Sequence, residues 1–367
     1  MGRNQLNLTL PAFGAPQIRL LEKLSNAQAV SGDEGEVRKI VLENIRPNVD
    51  EARIDALGNV LAIKRGSANT RVKVMIAAHM DEVGLMLTSE EDKEEGYYRF
   101  EVIGGIDPRV LAGKRVKFAH QDKFGVIGSK PIHLTSADER KNLLGIDSLR
   151  IDCASANNKI KVGERATFAT EFMRTGDQLR GKALDDRLGV AILIELLKHP
   201  FPHLDILAAF TVQEEVGLRG AQVAAYALDP QVALVLDCTP AYDLPLEVED
   251  PDHPIENARY NTKLRKGPAI YLADRETLSD PRWIAHLVQT AETMHIPYQF
   301  RQPGGGGTDA GSIHLQRSGI PSISVSTPAR YIHTPAAIAS FTDWKNTFHL
   351  VYSALNRLNA DVFNQER

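Results

Sequence analysis

The chain has 367 residues, with 43 Lys and Arg against 47 Asp and Glu, a formal charge of −4 and a pI near 6.3. Hydrophobic residues make up 43% and charged residues 25%, a balance that excludes disorder as the main state. Without a basic excess, nucleic acid is not an expected partner.

The two cysteines, Cys153 and Cys238, cannot build a disulfide framework and point to a reducing, cytoplasmic compartment. The opening MGRNQLNLTLPAFG lacks the basic-then-apolar pattern of a secretory signal, and Leu6 stands where a myristoylation motif takes Ser or Thr. No stretch reaches ~18 consecutive apolar residues, so no membrane span is expected. At roughly 150 residues per domain, the length suggests two domains or one with a large insertion.

Residues 16–28 and 34–46 carry apolar side chains at three- and four-residue spacing and predict helices, with Ser31, Gly32 and Asp33 as turn and cap between them. VLAIKR after Asn59 predicts a strand. VKVMIAA at 72–78 is a nearly continuous apolar run, the pattern of a strand buried on both faces, and it ends in His79-Met80-Asp81-Glu82. The design recurs: ILAAFTV (206–212) ends in Gln213-Glu214-Glu215, and VALVLD (232–237) ends in Asp237. A fourth run, ISVST (323–327), leads into the loop of His333. The clearest intervening helices are 187–198 and 282–295. Strands alternating with helices predict an α/β fold whose mostly parallel sheet is flanked by helices, over 1–83 and 176–367. Residues 84–175 break the pattern with short strand-like pieces and glycines, predicting a small inserted all-β domain.

In open parallel sheets ligands bind beyond the carboxyl ends of the strands. His79, Glu214, Glu215 and Asp237 all fall there, and His333 follows another strand. Taken singly each has an ordinary reading: a surface histidine, a solvated acidic pair, an N-cap at Asp185-Asp186. Taken together they form two imidazoles and several carboxylates on one rim, a ligand set suited to Zn²⁺, Co²⁺ or Mn²⁺. Asp185, at a helix start, is placed to bridge two ions ~3.5–4 Å apart. Cys238 and Cys153 read as inert thiols, Cys238 facing away from Asp237, and the remaining histidines, His120 and His253 among them, are assigned no role. GGGGTD (304–309) lacks the ending of a phosphate loop and reads as a turn close to substrate or backbone.

AHMDEVG (78–84), GKALDDRLG (181–189), QEEVGLRGA (213–221), LDCTPA (236–241), GGGTDAG (305–311) and YIHTP (331–335) together resemble the TET aminopeptidases of metallopeptidase family 42. The resemblance runs through most of the chain. It implies two divalent ions per subunit, Zn or Co with Mn as an alternative. His79, Asp185 and Asp237 match one ligand set, and Asp185, Glu215 and His333 the other. Glu214 matches the general base and Asp81 the acid that orients His79. It also implies a cis peptide between Asp185 and Asp186, and tetrahedral dodecamers built through the inserted domain, with a dimer as the fallback. The stretches YDLPLEVED and IDCASANNKIKVGE depart from the family pattern without touching a ligand.

The expected activity is release of N-terminal residues from short peptides by a metal-activated hydroxide with Glu214 as base. Three rivals stand beside it. A deacylase or carboxypeptidase would use the same metals. A glycoside hydrolase needs carboxylates flanking one bond ~5–9.5 Å apart, which the adjacent Glu214 and Glu215 suit poorly. A non-catalytic scaffold would not need the full ligand set.

Overall fold

The computed structural model describes residues 8–92, 96–118, 123–154, 160–244 and 262–363. The chain opens with helices α1 (Ala15–Asn26) and α2 (Gly35–Ile45), then strands β1 (Glu51–Ile54), β2 (Val60–Lys64) and β3 (Val72–His79). Six strands follow: β4 (Gly84–Asp92), β5 (Tyr97–Ile103), β6 (Arg115–Phe118), β7 (Phe124–Gly128), β8 (Arg150–Asp152) and β9 (Arg165–Phe168). Next come β10 (Met173–Thr175), β11 (Gln178–Gly181), α3 (Leu184–Leu196), β12 (Leu204–Thr211), α4 (Arg219–Leu228) and β13 (Val232–Pro240). The chain continues through β14 (Ala269–Tyr271), α5 (Pro281–Met294), β15 (Gln299–Arg301), α6 (Ala310–Ile313), β16 (Ser322–Arg330), β17 (Ala337–Ser340) and α7 (Phe341–Arg357).

Eleven strands form one sheet in the order β1-β2-β12-β3-β13-β16-β17-β11-β10, with β14 also on β16 and β15 on β14. The core β12-β3-β13-β16 is parallel. Antiparallel pairs flank it on both sides, so the sheet is mixed where the apolar runs alone suggested a mostly parallel one. The reason is length: β1–β2 and β10–β11 are short hairpin strands, a connection open only to antiparallel pairs.

Successive residues of β3 serve opposite faces. Val74, Ile76 and Ala78 join a core with Trp283 of α5, Trp344 and Phe348 of α7, and α1 to α3. Met75 and Ala77 join a second core under α4 and α6. A strand buried on both sides must be apolar throughout, and each buried Val, Ile or Met in it contributes ~1.5–3 kcal/mol.

The strands from Gly84 to Phe168 close into a separate antiparallel barrel, β4-β5-β8-β7-β6-β9, around Leu85, Tyr98, Phe100, Val116, Phe118 and Ile151. Antiparallel strands with one wet face alternate, as β5 does, which explains the weaker apolar runs here. Among the described residues no helix is long and apolar enough to cross a membrane. His120, His253 and parts of both departing stretches lie outside the described residues.

Candidate metal centre

The parallel core strands all point the same way, so their carboxyl ends share one rim. Thr211, ending β12, is in register with His79, ending β3, and Glu214 and Glu215 follow at once. Asp237 lies near the end of β13, Asp185 opens α3, and His333 lies in the loop after β16. The peptide Asp185–Asp186 is cis, as the motif resemblance implied. Ala183, Gln213 and His333 adopt left-handed backbone angles, φ 53°, 57° and 58°. Such conformations cost of order 1–3 kcal/mol each and concentrate where function fixes the backbone. Here they flank Asp185, Glu214 and His333 itself.

The two oxygens of Asp185 face two different imidazoles. Oδ1 is 3.3 Å from His79 Nε2, and Oδ2 is 3.6 Å from His333 Nε2. Asp237 Oδ1 lies 3.8 Å from His79 Nε2, and Glu215 Oε2 lies 3.2 Å from His333 Nε2. Donor atoms of His79, Asp185 and Asp237 fall within 4.8 Å of one another, as do those of Asp185, Glu215 and His333. A third group meeting that test, Asp185, Asp186 and Cys238, is chemically poorer. Burial first, then the surrounding carboxylates, pushes the Cys238 thiol well up, and Sγ donates to Leu184 O at 3.2 Å. Cys238 is buried but shares the cavity wall with Asp237 instead of facing away. Cys153 is half-buried and pushed up to about 12, mainly by burial.

The electrostatics fit a cation. Burial raises Asp237 and Glu214 well above the usual carboxylate range, with neighbouring acids adding to it. Burial likewise lifts Glu215 to about 7. Asp185 goes the other way: hydrogen bonds from His333 and His79 outweigh its burial and hold it low. Burial lowers His333, yet Asp185 and Glu215 carry it up to about 9. Protons or metal cations must neutralise this many buried acids, and the donor set of imidazole nitrogens and carboxylate oxygens suits Zn²⁺-like ions.

Asp81 is fully buried beneath the rim. Its carboxylate accepts from Ser31 Oγ at 2.6 Å, Glu214 N at 3.0 Å and Glu215 N at 3.2 Å, and Oδ1 is 3.5 Å from His79 Nδ1. Burial would raise its pKa, but the bonds from His79, Ser31 and Glu214 N hold it below the ordinary value. With Nδ1 also 3.2 Å from Asp81 O, Asp81 can hold a proton on Nδ1, which would leave Nε2, 3.3 Å from Asp185 Oδ1, free to ligate an ion.

Beneath lies a buried ionic cluster that sequence reasoning missed. Glu82 accepts from Lys182 Nζ at 2.7 Å, Thr167 Oγ1 at 2.7 Å and Ala29 N at 3.0 Å, with Arg187 Nη2 at 3.4 Å. Arg187 also donates to the carbonyls of Met80, Asp81 and Leu24, so it clamps the turn that carries Asp81. Lys182 and Arg187 were in view inside GKALDDRLG, but one motif cannot say which partners meet it. Asp309, inside GGGTDAG, was also passed over; it is buried, accepts from Thr211 Oγ1 at 2.5 Å, and is lifted to about 6 mainly by burial. His199, one of the histidines assigned no role, lies 3.5 Å from Glu195.

A cavity of about 870 Å³ opens over the cluster. His79, Asp185, Glu214, Glu215, Asp237 and His333 line it together with Tyr271, Arg301 and Gly305 to Gly307. The glycine turn thus borders the cavity.

Paired imidazoles and clustered carboxylates at the open rim of an α/β sheet define a metal-dependent hydrolase. Residues 58–350 match the family model described as M42 glutamyl aminopeptidase, and the chain belongs to this family of aminopeptidases. The lysyl aminopeptidase of Pyrococcus furiosus is 32% identical over 352 residues, covering 92% of this chain and 96% of the relative. The crystal structure of the TET aminopeptidase from the marine sediment archaeon Thaumarchaeota archaeon matches with a TM-score of 0.87 at 34% identity, covering 95% of this chain and 98% of that one. The Pyrococcus horikoshii TET1 peptidase, which can assemble into a tetrahedron or a large octahedral shell, matches with a TM-score of 0.79 at 30% identity, covering 93% and 100%.

Proposed function

We propose that the chain removes single N-terminal residues from short peptides using two divalent ions per subunit. The observation that carries this reading is Asp185, whose two oxygens face separate imidazoles at 3.3 and 3.6 Å. His79, Asp185 and Asp237 would hold one ion, and Asp185, Glu215 and His333 the other. Zn²⁺ and Co²⁺ suit these donors best, with Mn²⁺ as a third option. When bound, the ions supply an acidified water and a polarised scissile carbonyl.

The protein's own groups supply the rest. Glu214 lines the same cavity as the proposed ligands, so it would take a proton from the attacking water and return it to the leaving amine. Asp81 fixes that base through Glu214 N and fixes the ligand ring of His79. In this reading residues 1–83 and 176–367, together with β10 on the same sheet, would form the catalytic part, and the inserted barrel of β4 to β9 within 84–175 would serve assembly. Twelve copies of the 40.5 kDa chain would enclose the cavities, in line with the dodecamer and the tetrahedron described for TET1 relatives. Unpaired Cys153 and Cys238 fit a cytoplasmic setting.

The test is hydrolysis of matched free and N-acetylated peptides after stripping metal and adding back Zn²⁺ or Co²⁺, with Glu214→Gln alongside. Single-residue release that needs metal, a free amine and Glu214 supports the reading. Equal cleavage of acetylated peptides would turn it to a deacylase. Light scattering that gives a monomer at micromolar concentration would remove the assembly claim.

A further inference from the structure

Arg301 ends β15 and is 4% exposed. Register sets it beside Tyr271 of β14, whose ring centroid lies 5.8 Å from its guanidinium carbon. β14 pairs with β16, which lies next to β13 and Asp237. Tyr271 feels the charges of both Asp237 and Arg301, and all three line the same cavity.

A guanidinium offers five N–H donors and no acceptor. Nη1 donates to Gln302 O and Nη2 to Gly305 O, while the buried Nε has no partner. Among the described residues no carboxylate lies at ion-pair distance from Arg301. Asp274 feels its charge, but the oxygens of Asp274 accept from Glu276 N, Thr277 N and Thr308 Oγ1. Arg275 and Glu276, also in the wall, are exposed and 3.6 Å apart, so their charges offset each other. The loop is shaped around the guanidinium: a Cβ on Gly304 would lie 2.7 Å from Nη1.

A buried charge without a partner is costly, and the energy is recovered when an opposite charge arrives. The planar fork of Arg matches a carboxylate with two parallel bonds. We propose that Arg301 selects acidic N-terminal residues, with the substrate's side-chain carboxylate docking on the guanidinium while its scissile bond lies over the Asp185 cluster. This rests on the aminopeptidase reading above and adds a side-chain class to it, one that the names of the family and its relative leave divided between glutamyl and lysyl.

The experiment measures kcat and KM on Glu-, Gln-, Leu- and Lys-p-nitroanilides for the metal-loaded protein, Arg301→Gln and Arg301→Lys. Gln is the neutral near-isostere of Glu, so the Glu/Gln ratio isolates the charge. The wild type should favour Glu over Gln by about 10- to 100-fold in kcat/KM, the range of a charge-assisted hydrogen bond. Arg301→Gln should bring that ratio near unity, mainly through KM for Glu, and leave Leu within a few-fold. Arg301→Lys should keep part of the preference.

An equal fall on all four substrates would mean that Arg301 only holds the glycine loop, and would overturn the proposal. So would a wild type that cleaves Leu or Lys as well as Glu, although the aminopeptidase reading would survive. No release from any substrate with any metal would remove both. If Arg301→Gln does not fold, product inhibition of the wild type decides: free glutamate must inhibit more tightly than glutamine, and equal inhibition overturns the proposal.

Discussion

Asp81 joins a metal ligand to the general base, so its amide variant probes both at once. In Asp81→Asn one oxygen becomes an NH₂ group of nearly the same shape. If the amide nitrogen replaces Oδ2, it meets Glu215 N–H, which now bonds Oδ2 at 3.2 Å. If it replaces Oδ1, it meets Glu214 N–H, now bonded at 3.0 Å. Either orientation points a donor at a buried backbone donor, an unsatisfied pair that costs ~1–3 kcal/mol. The variant also loses the carboxylate 3.5 Å from His79 Nδ1. Carboxylates that orient ligand histidines are worth ~10–100-fold in metal affinity. Denaturant unfolding of the metal-free proteins measures the first effect, and competition with a chromophoric Zn²⁺ chelator measures the second. Wild-type stability together with wild-type affinity in Asp81→Asn would refute the reasoning, because Asp81 would then be a spectator.

Two further outcomes follow from the site's charges. In metal-free protein, His333 is raised to about 9 and Glu215 to about 7. A raised folded pKa gives stability that is complete below the unfolded value and lost as pH rises through the folded one. Metal-free protein should therefore weaken from near pH 5 toward pH 9, and added Zn²⁺ should protect it most at the alkaline end; melts that strengthen with pH would contradict this. Lys182→Met would leave Glu82, 2% exposed, with Arg187 as its remaining cation at 3.4 Å. Removing one partner of a buried pair should cost ~3 kcal/mol or more in denaturant unfolding, and a loss below ~1 kcal/mol would show the cluster to be dispensable.

The parts legible in the sequence share one property: their signal is local. Strands β3, β12, β13 and β16 are buried on both faces, so their apolar runs stand out, and the ligands sit at the ends of those runs. Helices α1, α2, α3 and α5 carry their periodicity in one window. By contrast β10, β14 and β15 are three residues long, and only their neighbours make them strands. Of the antiparallel wings only β2, VLAIKR, is legible in the sequence, while the wing of β17, β11 and β10 has no comparable run. Arg301 lies on one of those short strands, and its place in the same cavity wall as Asp237 arises through β14 and β16, which no window of sequence contains. The Glu82–Lys182–Arg187 cluster was half visible as motif residues, but its meaning comes from a meeting across about a hundred residues. Helix α7, with Trp344, Phe348, Val351 and Leu355 on its buried face, has a clear period that was not singled out among the helices.

The central claim is that one carboxylate, Asp185, serves two metal positions. Metal-stripped protein would be equilibrated with Zn²⁺, freed of excess, and its ions counted per chain by mass spectrometry for the wild type, His333→Ala and Asp185→Ala. The account predicts two ions in the wild type, one in His333→Ala and weakened retention of both in Asp185→Ala. A single ion in the wild type, or two retained in Asp185→Ala, would contradict it.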